Sequence, residues 1–140
     1  MILIDTSVLS RAFRRRRPGA AELRYREAID GLMASDRSLG LPAIVLQEIL
    51  SGVRTDKAFG DLERRLVSAF AILHATTAEY VEAARLRNTC LARGVNVSGL
   101  DCLIAAQAIA GGHELFAADD DFALLARHSA LKLLDIDSLE

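Results

Sequence analysis

The stretch Gly99-Leu100-Asp101-Cys102-Leu103-Ile104-Ala105-Ala106-Gln107-Ala108-Ile109-Ala110 decides how the rest of the sequence folds around it. It predicts a helix that is apolar on nearly every side, and such helices lie inside a protein. Asp101 is its only charged residue. A carboxylate in apolar surroundings must be paired, protonated or bound to a cation. The helix therefore predicts an acid whose charge needs a partner.

Similar acids occur beside three other apolar runs. Asp5 lies within Met1-Ile2-Leu3-Ile4-Asp5-Thr6-Ser7-Val8-Leu9, and Glu48 within Leu41-Pro42-Ala43-Ile44-Val45-Leu46-Gln47-Glu48-Ile49-Leu50. Asp119-Asp120-Asp121 follows Leu115-Phe116-Ala117-Ala118. No lysine or arginine immediately adjoins the first three acids. If these carboxylates meet in space, a metal ion is needed to hold them together at neutral pH.

The size and composition predict one globular domain over residues 1–140. Apolar residues make up 51% of the chain and charged residues 26%. The net charge is only −2, so the overall charge of the molecule does not indicate a polyanionic partner. Cys90 and Cys102 have no metal or disulfide spacing, which is typical of a reducing cytosol. Neither a signal sequence nor a membrane-spanning run is found, so we expect a cytoplasmic protein without membrane contact.

Strands and helices are predicted to alternate along the chain. Strands are expected over 1–5, 38–41, 71–73, 114–118 and 131–136. Helices are expected from Thr6 to the arginines before Pro18, and over 20–35, 42–51, 56–69, 77–94, 99–110 and 122–127. In helix 56–69 the side chains of Phe59, Leu62, Leu66 and Val67 are expected to face inward. This order predicts an α/β fold in which a short parallel sheet is sandwiched between helices.

Each acid also has a local explanation. Asp101 follows Ser98 by three residues, as in a helix-capping turn, and Asp119 or Asp121 could cap the helix near Phe122. Asp5 could accept hydrogen bonds from the amides of the next turn. Glu48 lies in the middle of a helix, where no free amides are available. Because Asp5 and Asp119 end predicted strands, and ligands bind at the carboxyl ends of parallel strands, the four acids together favour one shared site.

Oxygen ligands without histidine or thiolate spacing indicate a hard cation, Mg²⁺ or Mn²⁺. Such a site suits phosphodiester hydrolysis, in which the metal lowers the pKa of a water molecule and stabilises the leaving oxygen. Hydroxyl groups beside the acids are expected to orient the carboxylates or to cap and pack next to them; they belong to Thr6, Ser7 and Ser98. His74, His113 and His128 lie on separate segments and are assigned structural roles. No histidine adjoins Ser7 or Cys102, so a covalent nucleophile is disfavoured.

The ordered acids resemble those of PIN-domain ribonucleases, in particular the VapC-type toxins of toxin–antitoxin modules. The similarity covers essentially the whole chain. The motifs that carry it are Ile4-Asp5-Thr6-Ser7, Leu46-Gln47-Glu48-Ile49-Leu50-Ser51-Gly52, Arg93-Gly94-Val95-Asn96-Val97-Ser98-Gly99-Leu100-Asp101-Cys102-Leu103-Ile104-Ala105-Ala106 and Leu115-Phe116-Ala117-Ala118-Asp119-Asp120-Asp121-Phe122.

The resemblance implies a PIN-like α/β fold and metal-dependent cleavage of RNA. It assigns the catalytic, metal-binding carboxylates to Asp5, Glu48, Asp101 and Asp119, with Asp121 as an auxiliary ligand. It also implies a homodimer and inhibition by a small antitoxin protein, in a heterotetramer or larger assembly. The family usually carries Thr or Ser where this chain has Ala117, so one hydroxyl near the fourth acid is missing. How many metal ions bind, and which RNA is cut, stay open.

A cluster of arginines is expected to contact the RNA backbone near the acids. It comprises Arg11, Arg14, Arg15, Arg16 and Arg17. The alternative is a solvated helix end whose cations interact with the helix dipole. Two other functions are considered for the whole chain: a catalytically silent PIN-like module that binds RNA or protein, and a phosphatase or phosphoryl-relay domain. The last lacks a second early acid, because position 7 is Ser, and a lysine close to Asp119.

Overall fold

A five-stranded parallel sheet forms the centre of the molecule. The computed structural model describes residues 1–13 and 19–139. The strands are β1 (Ile2–Ile4), β2 (Leu39–Pro42), β3 (Ala71–Leu73), β4 (Glu114–Phe116) and β5 (Lys132–Leu133). Their order in the sheet is β3-β2-β1-β4-β5, and every pairing is parallel. The predicted α/β fold with a short parallel sheet is confirmed.

Within residues 1–13 and 19–139, seven helices and one 3₁₀ turn connect and follow the strands. They are α1 (Thr6–Phe13), α2 (Ala20–Ala34), α3 (Ala43–Leu50), α4 (Asp56–Ala69), α5 (Thr77–Ala92), α6 (Gly99–Gly111), α7 (Asp120–Arg127) and the 3₁₀ turn Ile136–Leu139. Contacts join α1 to α2 and α3, and α3 to α4, whereas α5 and α7 pack on α6. Right-handed crossovers place these two groups on opposite faces of the sheet.

The core lies around β1 and α6. All three residues of β1 are buried, and so is every residue of α6 from Cys102 to Ala108. The predicted burial of the helix that carries Asp101 is therefore correct. Ser98 caps the start of α6, and Gly112 ends it in the left-handed conformation at φ 64°.

Several elements differ from the sequence prediction. Pro42 ends β2 instead of starting α3, and β5 has only two residues. In α4, Leu66 is buried as expected, but Phe59 and Val67 are exposed. The predicted end of the first helix falls in residues 14–18, outside the described residues. Along the described helices, none combines the length and apolar character needed to cross a membrane.

Candidate metal centre

The strand order brings two of the predicted acids to the same edge of the sheet. Along the chain, β2 and β3 add on one side of β1, whereas β4 pairs on its other side. Ligands of parallel sheets bind at the carboxyl end of such a switch point. Asp5 directly follows β1 there, and Asp119 comes three residues after β4 ends. The backbone N–H of Asp5 donates to the carbonyl oxygen of Phe116 at 3.0 Å, which fixes the two strand ends together.

Five carboxyl groups were predicted for the site, those of Asp5, Glu48, Asp101, Asp119 and Asp121. Asp5 is the most deeply buried of them, with 5% of its surface exposed. Its Oδ2 accepts hydrogen bonds from the backbone N–H of Ser7 at 3.0 Å and from the Ser7 hydroxyl at 2.5 Å. Burial raises the pKa of Asp5, and the charge of Asp119 adds to this, although the hydrogen bonds from Ser7 oppose it. The group therefore sits where its negative charge is costly.

Ser7 and Thr6 follow Asp5 but differ in their contacts. The Ser7 Oγ also accepts a hydrogen bond from the backbone N–H of Ala118 at 2.9 Å, so it joins the end of β1 to the loop before Asp119. The Thr6 hydroxyl is buried and has no hydrogen-bond partner in the described part of the chain. Thr6 acts on the Asp5 carboxyl group through its backbone amide.

Glu48 lies on α3 and is half-buried. Burial and the charge of Asp5 raise the pKa of Glu48. The effect of Asp5 indicates that the two carboxyl groups lie within electrostatic reach of each other.

Asp101 lies in the first turn of α6, where the Ser98 hydroxyl accepts a hydrogen bond from its backbone N–H at 3.1 Å. Burial raises the pKa of Asp101 to about 6, with further contributions from the charges of Asp5, Asp119 and Asp121. A hydrogen bond from Ser98 to the side chain opposes this rise. Asp101 thus lies near three other acids and also belongs to the helix turn that Ser98 caps.

Asp119 and Asp121 lie at the start of α7. Asp119 caps this helix, because its Oδ1 accepts a hydrogen bond from the backbone N–H of Asp121 at 3.0 Å. Carboxylate oxygens of Asp101, Asp119 and Asp121 all lie within 4.8 Å of one another. The local explanation and the shared site are therefore compatible, since Asp119 caps α7 and Asp101 lies in the capped turn of α6, while their carboxylates also converge. Asp120, between them, is exposed.

The residues present fit a hard divalent cation. The donors are carboxylate oxygens, which Mg²⁺ and Mn²⁺ prefer. Within residues 1–13 and 19–139, no lysine, arginine or histidine forms an ion pair with any of the five acids. Three of them have a raised pKa because burial and like charges oppose ionisation. A bound cation would offset that repulsion.

Other candidate groups lie outside this cluster or are chemically unsuited. The imidazole of His113 contacts the amino group of Met1, and His128 contacts Arg93. Burial raises the pKa of the Cys102 thiol to about 11, so it is protonated at neutral pH and is a poor nucleophile.

Of the predicted RNA-binding arginines, Arg11 is exposed, and its guanidinium lies over the Tyr25 ring at 5.7 Å from the ring centre. Arg14 to Arg17 fall outside the described residues. The backbone amide of Ala118, which donates to the Ser7 hydroxyl, was not expected from the sequence. Every residue except proline has a backbone N–H, so the residue type at position 118 does not indicate this contact.

The fold and site define an α/β protein with a cluster of acids at the carboxyl edge of a parallel sheet. The family model of the PIN domain matches residues 2–128. The chain belongs to the PIN domain family, as the ordered acids predict.

Solved structures with the same fold come from several bacteria. FitAcB from Neisseria gonorrhoeae is 22% identical, with 97% of this chain and 98% of that chain covered and a TM-score of 0.76. VapBC-1 from nontypeable Haemophilus influenzae is 16% identical over 98% of this chain and 99% of that chain, with a TM-score of 0.76. VapC20 from Mycobacterium tuberculosis, described as a sarcin-ricin loop cleaving toxin, is 18% identical over 89% of this chain and 94% of that chain, with a TM-score of 0.66.

Proposed function

We propose that the chain is a single-domain endoribonuclease that depends on Mg²⁺ or Mn²⁺ and acts as the toxin of a type II toxin–antitoxin pair. The observation that carries this proposal is the convergence of Asp101, Asp119 and Asp121. Asp5 adds a buried carboxylate whose charge interacts with the same cluster. A set of oxygen ligands at the open edge of the sheet suits hydrolysis of a phosphodiester bond.

The acids take different parts in this reaction. Asp5, Asp101 and Asp119 would hold the metal, with Asp121 as an auxiliary ligand, and Glu48 would join them or orient the attacking water. When bound, the metal supplies the positive charge that brings a phosphate group to this acidic site and lowers the pKa of a water molecule. The Ser7 hydroxyl donates to the carboxyl group of Asp5, and the Ser98 hydroxyl accepts from the backbone N–H of Asp101, so each serine would help to hold its acid in place.

The structural neighbours support RNA as substrate and a protein as inhibitor. VapC20 is named as a toxin that cleaves the sarcin-ricin loop, and VapBC-1 is one of several toxin–antitoxin structures among the neighbours. We extend this to a small antitoxin partner and a homodimer, in a heterotetramer or larger assembly. We place the protein in the cytoplasm, because its two cysteines are free, buried thiols that suit a reducing compartment.

Replacing Asp5 with Asn tests the nuclease directly. We expect Asp5→Asn to lower RNA cleavage by at least about 100-fold, since even partners of metal ligands contribute 10- to 100-fold. Asp120→Asn removes the same charge from an exposed position and should retain activity. The measurement is cleavage of labelled RNA by purified protein with Mg²⁺, with Mn²⁺ and with excess EDTA.

Full activity of Asp5→Asn, or of the wild type in EDTA, would contradict the assignment. A folded wild-type protein that binds RNA without cutting it in either metal would favour the silent binding module instead. We expect turnover, because Asp101, Asp119 and Asp121 converge and Asp5 interacts with the same cluster.

A further inference from the structure

The Ser7 hydroxyl contacts two elements that are distant in sequence. Its oxygen lies 2.5 Å from Oδ2 of Asp5 and 2.9 Å from the backbone nitrogen of Ala118. Asp5 ends the central strand β1, whereas Ala118 follows β4 and precedes Asp119. One side chain therefore joins the two strand ends that carry the acids.

The direction of both hydrogen bonds follows from their chemistry. The backbone N–H of Ala118 can only donate, so the Ser7 oxygen is the acceptor there. The one proton of the Ser7 hydroxyl is then donated to Oδ2 of Asp5, which accepts a second hydrogen bond from the Ser7 backbone at 3.0 Å. Both donors bind the same oxygen. Neither of these hydrogen bonds engages Oδ1, so we take Oδ1 as the oxygen of Asp5 that a cation would bind.

In Asp119, too, a hydrogen bond engages one carboxylate oxygen and not the other. Its Oδ1 accepts a hydrogen bond from the backbone N–H of Asp121, which leaves Oδ2 for other partners. Since the contact from Ser7 to Ala118 holds the residue before Asp119, a displacement of Ser7 would move Asp5 and the start of α7 relative to each other.

We propose that Ser7 is a positioning residue for the metal centre. It orients Asp5 so that the cation binds through Oδ1, and it holds Asp5 in register with the segment that leads to Asp119 and Asp121. The inference rests on the metal site of the proposed function. It requires the hydroxyl itself, because an alanine at this position neither donates to Asp5 nor accepts from Ala118.

The test is Mn²⁺ binding to the full chain without RNA, measured by electron paramagnetic resonance. We expect Ser7→Ala to bind Mn²⁺ about 10- to 100-fold more weakly, the range typical of residues that hydrogen-bond to metal ligands. Ser7→Thr keeps the hydroxyl and should restore binding to within a few fold of the wild type. Should Ser7→Ala fail to fold, Ser7→Cys, in which a thiol replaces the hydroxyl and is a weak donor, serves in its place.

Ser129→Ala is the matched control. The Ser129 hydroxyl also makes two backbone contacts, donating to Leu125 at 2.6 Å and accepting from Leu131 at 3.3 Å, but it lies beyond the opposite end of α7 from the acids. Thermal unfolding of both variants measures the structural cost of losing such a serine. Mn²⁺ affinity should fall in the Ser7 variant and stay unchanged in the Ser129 variant.

The outcomes separate this inference from the nuclease proposal. The positioning role is overturned if Ser7→Ala binds Mn²⁺ as tightly as the wild type. It is also overturned if Ser7→Thr binds Mn²⁺ as weakly as Ser7→Ala. A wild-type protein that binds Mn²⁺ with the expected dependence on Ser7 but leaves RNA intact supports this inference and contradicts the nuclease.

Discussion

Asp101 combines two roles that a sequence pattern treats as alternatives. Its backbone N–H is capped by Ser98, while its carboxyl group faces Asp5, Asp119 and Asp121. Burial is the largest cause of its raised pKa, and the neighbouring charges add to it. Without a cation, the folded protein therefore carries a repulsion that the unfolded chain lacks.

The stability of the metal-free protein should fall as the pH rises through the pKa of Asp101. The unfolded group has a pKa near 3.8 and the folded group one of about 6. The folded state therefore binds the proton more tightly, and its stability relative to the unfolded chain decreases as the pH rises between those values. Burial shifts Asp5 and Glu48 in the same direction. We expect the midpoint of thermal unfolding in EDTA to fall as the pH rises from about 4 to about 6 and to level off above that, and Asp101→Asn to flatten this dependence.

Asp120→Asn is the control for the loss of one negative charge in the same region, because Asp120 is exposed and lies outside the cluster. Mg²⁺ should raise the midpoint of the wild type more at pH 8 than at pH 5, because protons compete with the metal for the carboxylates. An unchanged pH dependence in Asp101→Asn would show that another group causes it.

At the scale of elements, the ends of α6 determine where Asp101 lies. Ser98 caps one end, and at the other Gly112 adopts φ 64°, where a side chain strains the backbone. A Cβ atom at Gly112 would contact nothing within 4 Å, so the backbone angle alone opposes a substitution. Gly31, inside α2, also has free space for a Cβ atom, but it has no positive φ.

These two glycines give opposite predictions for the same substitution. Gly112→Ala should destabilise the protein by about 1 to 2 kcal/mol, the cost of a left-handed non-glycine residue. Gly31→Ala should stabilise it by about 0.5 to 1 kcal/mol, because alanine favours a helix interior. Urea unfolding of both variants measures the difference. Equal effects of the two substitutions would rule out the conformational argument.

Capping residues and helical spacing predicted where helices lie better than they predicted which side chains are buried. The predicted Ser98 cap and the predicted bounds of α4 agree with the structure. Phe59 and Val67 were placed in the core from helical spacing, yet both are exposed. The spacing shows which residues share a helix face, whereas the width of the buried face depends on the neighbouring elements.

The positions of the acids could be predicted from the sequence where the strand order alone determines them. Parallel strands bring Asp5 and Asp119 to one edge, and the burial of α6 brings Asp101 with its helix. The contact from Ser7 to Ala118 was not predictable, because it depends on the register of β1 and β4 and ends on a backbone amide. Position 117 is Ala, which has no hydroxyl, but the Ser7 hydroxyl contacts the adjacent residue, Ala118.

At the scale of the whole molecule, the net charge of −2 and the acidic site both oppose binding of RNA. The arginine cluster would favour RNA binding; it starts with Arg11 in the last turn of α1, a helix that begins beside Asp5. Replacing Arg14 to Arg17 with Gln should weaken RNA binding and reduce the slope of log affinity against log salt by up to about 3, at roughly 0.7 per contact with a single strand.

This measurement uses the Asp5→Asn background, so that RNA stays intact, and covers about 50 to 200 mM salt. Arg85→Gln is the control, because Arg85 is paired with Glu82 on α5. Unchanged affinity and slope after the fourfold replacement would assign these arginines to a solvated helix end.

The pairing of β1 with β4 also governs when the protein becomes competent during its synthesis. Ser7 and Ala118 are 111 residues apart, so at 5 to 20 residues per second the ribosome makes Ala118 roughly 5 to 20 s after Ser7. Until then the central strand β1 lacks its neighbour β4, and Asp119 has not been made. In the nuclease that we propose, a nascent chain would therefore lack a complete acidic site until nearly all of it has been synthesised.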